Sequence, residues 1–178
     1  MRRNRTTLLY CTTVVALLLS LGSPVVAEEG RKGDPELSTA TFSMYCYWTG
    51  EATLGRVDGV HASRIGHWDG REIVQVDYDP TRTSVDELAQ ALATNRSLYA
   101  VVRAQGENQQ ATSAEQRTLR GRPKFIPPKH SLRTVFPQIA ALQLTEEQAI
   151  ALNSWAYFGG SMPDVLTAEQ KLVLASQR

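Results

Sequence analysis

Residues 72–78 have the sequence EIVQVDY, and the alternation of apolar and polar side chains from Val74 to Tyr78 predicts a β-strand with one buried face. Val74, Val76 and Tyr78 share that face, and Glu72 has the same parity. The turn signal DG precedes the strand at 69–70, and the proline-containing DPTRT ends it. Such a strand needs neighbouring strands and a layer packed on its apolar face, so the flanking segments decide the fold.

The flanking segments predict three more strands and two helices. The strands are expected at 39–46, 60–68 and 98–103, and one helix at 48–57. Ser84 and Glu87 form a capping box that opens the second helix, which continues through Leu92. The order is β-α-β-β-α-β, so we predict an α+β fold with a ferredoxin-like core over residues 39–103.

The C-terminal part of the chain predicts a linker followed by helices. Residues 104–130 are polar and then rich in proline, which predicts a linker. Thr145 and Thr167 are each followed three residues later by Gln, which predicts two capped helices at 146–157 and 168–175. We expect residues 131–178 to form a helical region whose two helices pack as a hairpin on the sheet.

The N-terminal part of the chain predicts export. Residues 1–27 combine three arginines, an apolar run of about 14 residues and small residues before position 28, as in a signal peptide. An uncleaved membrane anchor is the alternative. Residues 28–38 are polar with Gly and Pro, and predict a disordered segment. Without the leader the net charge is near −2, so we expect no nucleic-acid partner and no membrane association.

One cysteine follows the predicted signal peptide. Of the two cysteines, Cys11 lies within the predicted signal peptide, so Cys46 cannot form a disulfide within the exported chain. Cys46 falls between a predicted strand and a predicted helix, where the helix N-terminus favours thiolate over thiol. Tyr47 and Trp48 could form an apolar wall beside the sulfur. The alternative is that all three side chains fill core space.

Glu72 is a candidate general acid. Its parity directs the carboxyl toward the apolar face, where loss of water favours the protonated form. The alternative is that Glu72, close to a turn, reaches solvent at the end of the strand.

These residues together resemble the core of the A-type peptide methionine sulfoxide reductases, whose signature Gly-Cys-Phe-Trp-Gly-x-Glu leads into a helix. Cys46, Trp48 and Glu51 fall at the matching steps, and the resemblance covers residues 42–92. Further matches follow in order: DGV at 58–60, Gly66, Glu72, VDYDP at 76–80 and Leu88.

The resemblance implies a thiol-dependent reduction of methionine sulfoxide in peptides or proteins. Cys46 would attack the sulfoxide sulfur and become a sulfenic acid, and Glu72 would protonate the sulfoxide oxygen. Tyr47 and Trp48 would hold the substrate methyl group, and Glu51 would have a structural role. No cofactor or metal would be bound, and an external reductant, thioredoxin-like or a small thiol, would restore the thiol.

The chain departs from the family pattern at three places. Tyr45 replaces the glycine before the cysteine. The loop that supplies a substrate-binding tyrosine in the family is shortened to HWDG, so His67 or Trp68 is expected to take its place. Leu132 stands beside Arg133 where the family has a second tyrosine.

Two non-enzymatic functions remain as alternatives. Cys46 with His67 or Met44 could bind a soft metal such as Cu(I) on a ferredoxin-like scaffold, although the three histidines lack the spacing of a built metal site. The aromatic segment 153–160 could instead bind a protein partner, if its side chains are exposed.

Overall fold

A computed structural model describes residues 36–104 and 112–177. The predicted signal peptide at 1–27, together with Cys11, lies outside the described residues, as does most of the predicted disordered segment 28–38. The described residues belong to one compact unit. None of the helices within these two ranges is long and apolar enough to cross a membrane.

The described chain forms six strands and six helices. The strands are β1 (Ser38–Met44), β2 (Val60–Trp68), β3 (Arg71–Tyr78), β4 (Leu98–Ala104), β5 (Gln116–Leu119) and β6 (Lys124–Ile126). The helices are α1 (Tyr47–Leu54), α2 (Val85–Thr94), α3 (His130–Val135), α4 (Pro137–Ala140), α5 (Glu146–Phe158) and α6 (Ala168–Ser176).

All six strands belong to one mixed sheet with the order β5-β4-β1-β3-β2-β6. The neighbours are antiparallel except β4 and β5, which are parallel. The four central strands, β4, β1, β3 and β2, come from the segment that predicted the β-α-β-β-α-β order. The fold is therefore α+β, as the sequence predicts.

Alternation along β3 places its side chains in two separate apolar layers. Val74, Val76 and Tyr78 lie in the main core, where they pack with residues of β1, β4, α1 and α2. Ile73 points to the other face, where it packs with Trp68, Val102 and Leu119. The sheet thus buries apolar side chains on both faces, and Glu72 shares the parity of the main core.

The predicted capping boxes are present. The Ser84 hydroxyl accepts a hydrogen bond from the Glu87 backbone N–H, and the Glu87 carboxylate accepts one from the Ser84 N–H. Thr145 and Thr167 cap α5 and α6 in the same way, each with the glutamine three residues on. These reciprocal bonds satisfy N–H groups that a helix leaves unpaired at its start.

Two strands lie within the segment 104–130, which the sequence predicts to be a linker. β5 and β6 have four and three residues and lie at the edges of the sheet, so they are too short to show the alternation that marks a half-buried strand. Gly66 allows β6 to approach β2, since a Cβ atom at position 66 would lie 2.3 Å from the Lys124 carbonyl oxygen. Two more helices than predicted, α3 and α4, precede α5.

Candidate functional site

Cys46 lies at the junction of β1 and α1. β1 ends at Met44 rather than at Cys46, and the Tyr45 N–H donates a hydrogen bond to the Ser97 carbonyl, 2.9 Å away. Cys46 has extended backbone angles and is the N-cap residue of α1. Its half-buried side chain makes no capping hydrogen bond. The thiol therefore lies at the positive end of a helix without serving as its cap.

The Glu72 carboxylate reaches the same helix end. Glu72 lies on β3 between its cross-strand partners, Met44 on β1 and His67 on β2. Its Oε2 atom accepts a hydrogen bond of 2.8 Å from the Tyr47 backbone N–H. In the described part of the chain, the other oxygen, Oε1, accepts no hydrogen bond. Glu72 is therefore bonded to the residue next to Cys46 and keeps one oxygen available for a ligand.

Four aromatic rings form a continuous row beside these two residues. The Tyr47 ring meets His67 edge to face at 5.4 Å and Trp48 at 5.7 Å between centroids. Trp48 in turn stacks on His130, with the ring planes 3° apart and the centroids 3.9 Å apart. We call His67, Tyr47, Trp48 and His130 the aromatic row.

The phenol of Tyr47 is electrostatically coupled to the site. Burial raises its pKa, and negative charge on Glu72 and on Cys46 raises the pKa further. Tyr47 thus keeps its proton at neutral pH and can donate a hydrogen bond.

The structure brings five of the six predicted site residues together and separates Trp68 from them. The start of α1 is surrounded by the five residues Cys46, Glu72, Tyr47, Trp48 and His67. Trp68 is instead buried on the opposite face of the sheet, where its indole N–H donates to the Arg120 carbonyl at 3.0 Å. Neighbouring residues of a strand point to opposite faces, so His67 and Trp68 cannot both face the thiol.

Leu132 also lies away from the site. It is buried in a third apolar cluster with Ile139, Leu152 and Leu166. The position beside Arg133, which holds a tyrosine in the family pattern, therefore contributes to packing in this chain.

Glu51 is the centre of a buried polar network that supports α1. Its carboxylate accepts hydrogen bonds from the Lys129 backbone N–H at 3.1 and 3.0 Å, from the Ser63 hydroxyl at 3.3 Å and from the Asn153 side-chain amide at 3.1 Å. The Lys129 ammonium lies 3.6 Å from Glu51. Residues from α1, β2 and α5 thus meet around one carboxylate.

Sequence reasoning missed His130 and Lys129. The two residues are neighbours in the chain. Lys129 contacts Glu51 and His130 contacts Trp48, and each pair is separated by about eighty residues of sequence. The only local indication of a role for His130 was the presence of a histidine that has no metal-ligand spacing to the other two histidines. Over residues 36–104 and 112–177, no group of three or more His, Cys, Asp and Glu side chains could hold a metal ion.

Comparison with known proteins finds partial relatives. No protein-family profile matches the chain. The peptide methionine sulfoxide reductase MsrA of Geobacter metallireducens is 41% identical over 71 residues, which covers 30% of this chain and 44% of that protein. A peptide methionine sulfoxide reductase of Drosophila melanogaster is 34% identical over 64 residues, which covers 29% of this chain and 26% of that protein.

The match is thus confined to part of each protein. The chain aligns with less than half the length of either relative. The resemblance identified from the Cys46 and Glu72 motifs is nevertheless confirmed by both comparisons. The chain is a divergent, partial relative of the peptide methionine sulfoxide reductases.

Proposed function

We propose that this protein reduces methionine sulfoxide in peptides or proteins, with Cys46 as the nucleophile. The observation that carries the proposal is the hydrogen bond between the Glu72 carboxylate and the Tyr47 N–H. It holds an acid next to the thiol-bearing residue, beside the aromatic row. The partial relatives, both peptide methionine sulfoxide reductases, support the same reaction.

The proposed reaction begins at the Cys46 sulfur. The thiolate attacks the sulfoxide sulfur, and Glu72 delivers a proton to the sulfoxide oxygen as the new S–S bond forms. The hydroxyl group then moves to the Cys46 sulfur, which becomes a sulfenic acid. The substrate S–O bond and the new S–S bond break in this step, and the substrate leaves as a thioether. Cys46 has thereby been oxidised by two electrons and the substrate sulfur reduced by two.

An external dithiol completes the cycle. One thiol attacks the sulfenic acid, releases water and forms a mixed disulfide with Cys46. The second thiol cleaves that bond, which restores Cys46 and leaves the reductant as a disulfide. The reductant is external because Cys46 is the one cysteine that follows the predicted leader.

Tyr47 and Trp48 are proposed to hold the methyl group attached to the sulfoxide sulfur. The two rings meet nearly at right angles, at 69°, and so form a corner rather than a flat surface. An apolar corner suits a methyl group, and aromatic rings also attract sulfur. His67 adds a polar ring at the Tyr47 end of the row.

We further propose a ferredoxin-like core, with α5 and α6 as a helical hairpin and with residues 1–27 as the export signal. The antiparallel order β4-β1-β3-β2 supports the core. Hydrogen bonds between the Gln148 and Gln170 side chains support the hairpin.

The reaction is tested with the full chain, dithiothreitol and the separate S and R epimers of N-acetylmethionine sulfoxide. We expect turnover of the S epimer, no turnover by Cys46→Ser, and a decrease of about 10²–10⁴-fold in kcat/KM for Glu72→Gln. Glutamine can still accept the Tyr47 N–H, so this substitution removes the acid and keeps the helix contact.

Asp164→Asn is the matched control, because Asp164 is an exposed acid that pairs with Lys171 on α6. It should turn over like the wild type. Turnover that persists in Cys46→Ser, or no turnover by the wild type with either epimer, would contradict the proposal.

A further inference from the structure

His130 covers one face of the Trp48 indole. The two rings are nearly parallel, and a separation of 3.9 Å leaves no room for a ligand between them. Trp48 also contacts the Tyr47 ring, and 38% of its surface remains exposed to solvent. A substrate methyl group can therefore reach only the opposite face or the edges of the indole.

The backbone on either side of His130 is held by buried residues. Lys129 adopts a left-handed conformation, with φ 63°, and its N–H donates to both carboxylate oxygens of Glu51. The Lys129 ammonium donates to the Ser63 carbonyl at 3.0 Å. Two residues beyond His130, the Leu132 N–H donates to the Asn153 side chain at 3.0 Å.

These contacts link the imidazole back to the helix that carries Trp48. Glu51 and Trp48 both lie on α1, and Asn153 also donates to Glu51. Glu51 is hydrogen-bonded to the Lys129 backbone, Lys129 is joined to His130 by a peptide bond, and the His130 ring stacks on Trp48. These contacts therefore begin and end on α1. The backbone that carries the imidazole is thus fixed independently of the substrate.

We propose that His130 is a positioning residue, which holds the Trp48 indole in the orientation that receives the substrate methyl group. The inference rests on the proposed reductase function. An exposed indole would otherwise exchange between rotamers, and a wall already in place lowers the cost of ordering the site when substrate binds. His130 lies outside residues 42–92, so the resemblance assigns it no role.

His130 should therefore affect substrate binding, measured as KM, rather than the chemical step, measured as kcat. Loss of the ring in His130→Ala should raise KM for the S epimer of N-acetylmethionine sulfoxide about three- to tenfold, the range expected for one aromatic pair. The kcat should stay within about twofold. His130→Phe restores a ring without the imidazole nitrogens and should return KM to within about twofold of the wild type.

His130→Gln keeps a polar side chain without a ring, and serves if His130→Ala fails to fold. His61→Ala is the matched control, because His61 is a second partly buried histidine, and its imidazole pairs with Glu147 rather than with an aromatic ring. Near-UV circular dichroism verifies that each variant is folded at the assay temperature. If His130 had only a structural role, KM would change in parallel with the stability of each variant. If His130 positions Trp48, KM should recover in His130→Phe and in no other variant at this position.

Binding is measured separately from turnover. In the Cys46→Ser background, N-acetylmethionine sulfoxide is titrated while tryptophan fluorescence is followed, and the signal of Trp48 is identified by its loss in Trp48→Leu. The dissociation constant should rise about three- to tenfold with His130→Ala or His130→Gln and recover with His130→Phe.

The outcomes distinguish this inference from the reductase proposal. Wild-type turnover with an unchanged KM in His130→Ala and His130→Gln would overturn the role of His130 and leave the reductase function standing. No turnover, with binding that still depends on a ring at position 130, would overturn the reaction and support the positioning role. Binding that is equal in all variants, or absent from the wild type, would overturn the positioning role.

Discussion

Glu51 is almost fully buried, with 1% of its surface exposed, and it is an ionisable side chain in an interior position. Burial raises the pKa of its carboxyl, while the Lys129 ammonium and the donated hydrogen bonds act in the opposite direction. The residue matches the family pattern, and its contacts agree with the structural role that the resemblance implies. It supports α1 from within and anchors Lys129.

The raised pKa of Glu51 predicts a pH dependence of stability with a defined sign. The folded chain keeps this proton at pH values where the unfolded chain has released it. The contribution of Glu51 is therefore full below the ordinary carboxyl pKa, and it is lost as pH rises toward the raised value. The stability of the wild type relative to Glu51→Gln should fall as pH rises, by at most about 1.4 kcal/mol per pH unit.

Urea denaturation of both proteins between about pH 4 and pH 8 measures this difference. Glu147→Gln is the matched control with the opposite sign. Hydrogen bonding to the backbone and the neighbouring His61 lower the pKa of Glu147, so its contribution appears as pH rises and is lost as pH falls. The stability of the wild type relative to Glu51→Gln could instead stay constant or increase with pH. That result would show that the Glu51 carboxyl is not protonated preferentially in the folded state.

At the scale of elements, β6 depends on a missing side chain in β2. Lys124 and Phe125 approach the Gly66 backbone so closely that a Cβ atom would lie 2.3 Å and 2.9 Å from their atoms. The short strand has few other ways to join the sheet, because it pairs with only Ile65, Gly66 and His67. The edge of the sheet beside His67 is therefore set by one glycine.

Gly66→Ala should displace β6 and lower the free energy of unfolding by about 1–3 kcal/mol, the usual cost of overpacking. Hydrogen exchange at residues 124–126 should accelerate, since the strand loses its partner. Thr118→Ala, an exposed position on β5 at the opposite edge, should change the unfolding free energy by less than about 0.5 kcal/mol. Unchanged exchange in β6 would mean that the strand accommodates a methyl group by a small shift.

Local pattern predicts elements well where their signals lie within a few residues. The strand at Arg71–Tyr78 alternates from Val74 onward, and the boxes at Ser84, Thr145 and Thr167 each join residues three positions apart. β5 and β6 were missed because edge strands of three or four residues carry no periodic signal. Their pairing was decided by the strands already in the sheet.

At the scale of the whole molecule, the helices after residue 130 are joined to the sheet core through α1. The Ser154 hydroxyl donates to the Ala52 carbonyl at 2.7 Å, and Asn153 donates to Glu51 at 3.1 Å. The third apolar cluster, around Leu152, lies directly behind these contacts. We therefore expect both parts to unfold together.

Leu152→Ala should lower the free energy of unfolding by about 2–5 kcal/mol, since Leu152 is fully buried. The transition should remain single, with coincident curves from far-UV and near-UV circular dichroism. Leu172→Ala, on the exposed face of α6, is the matched control and should change the value by less than about 0.5 kcal/mol. Two separate transitions would show that the C-terminal helices unfold independently of the core.

The sequence by itself determined the order of the central elements, the capped helices, and the parity that directs Glu72 toward the main core. These features depend on residues close together in the chain and on the fixed periods of strands and helices. The tertiary structure alone decided that His130 stacks on Trp48, that Lys129 meets Glu51, and that His67 rather than Trp68 joins the aromatic row. Such contacts depend on which surfaces meet when distant segments pack, and no local period encodes that choice.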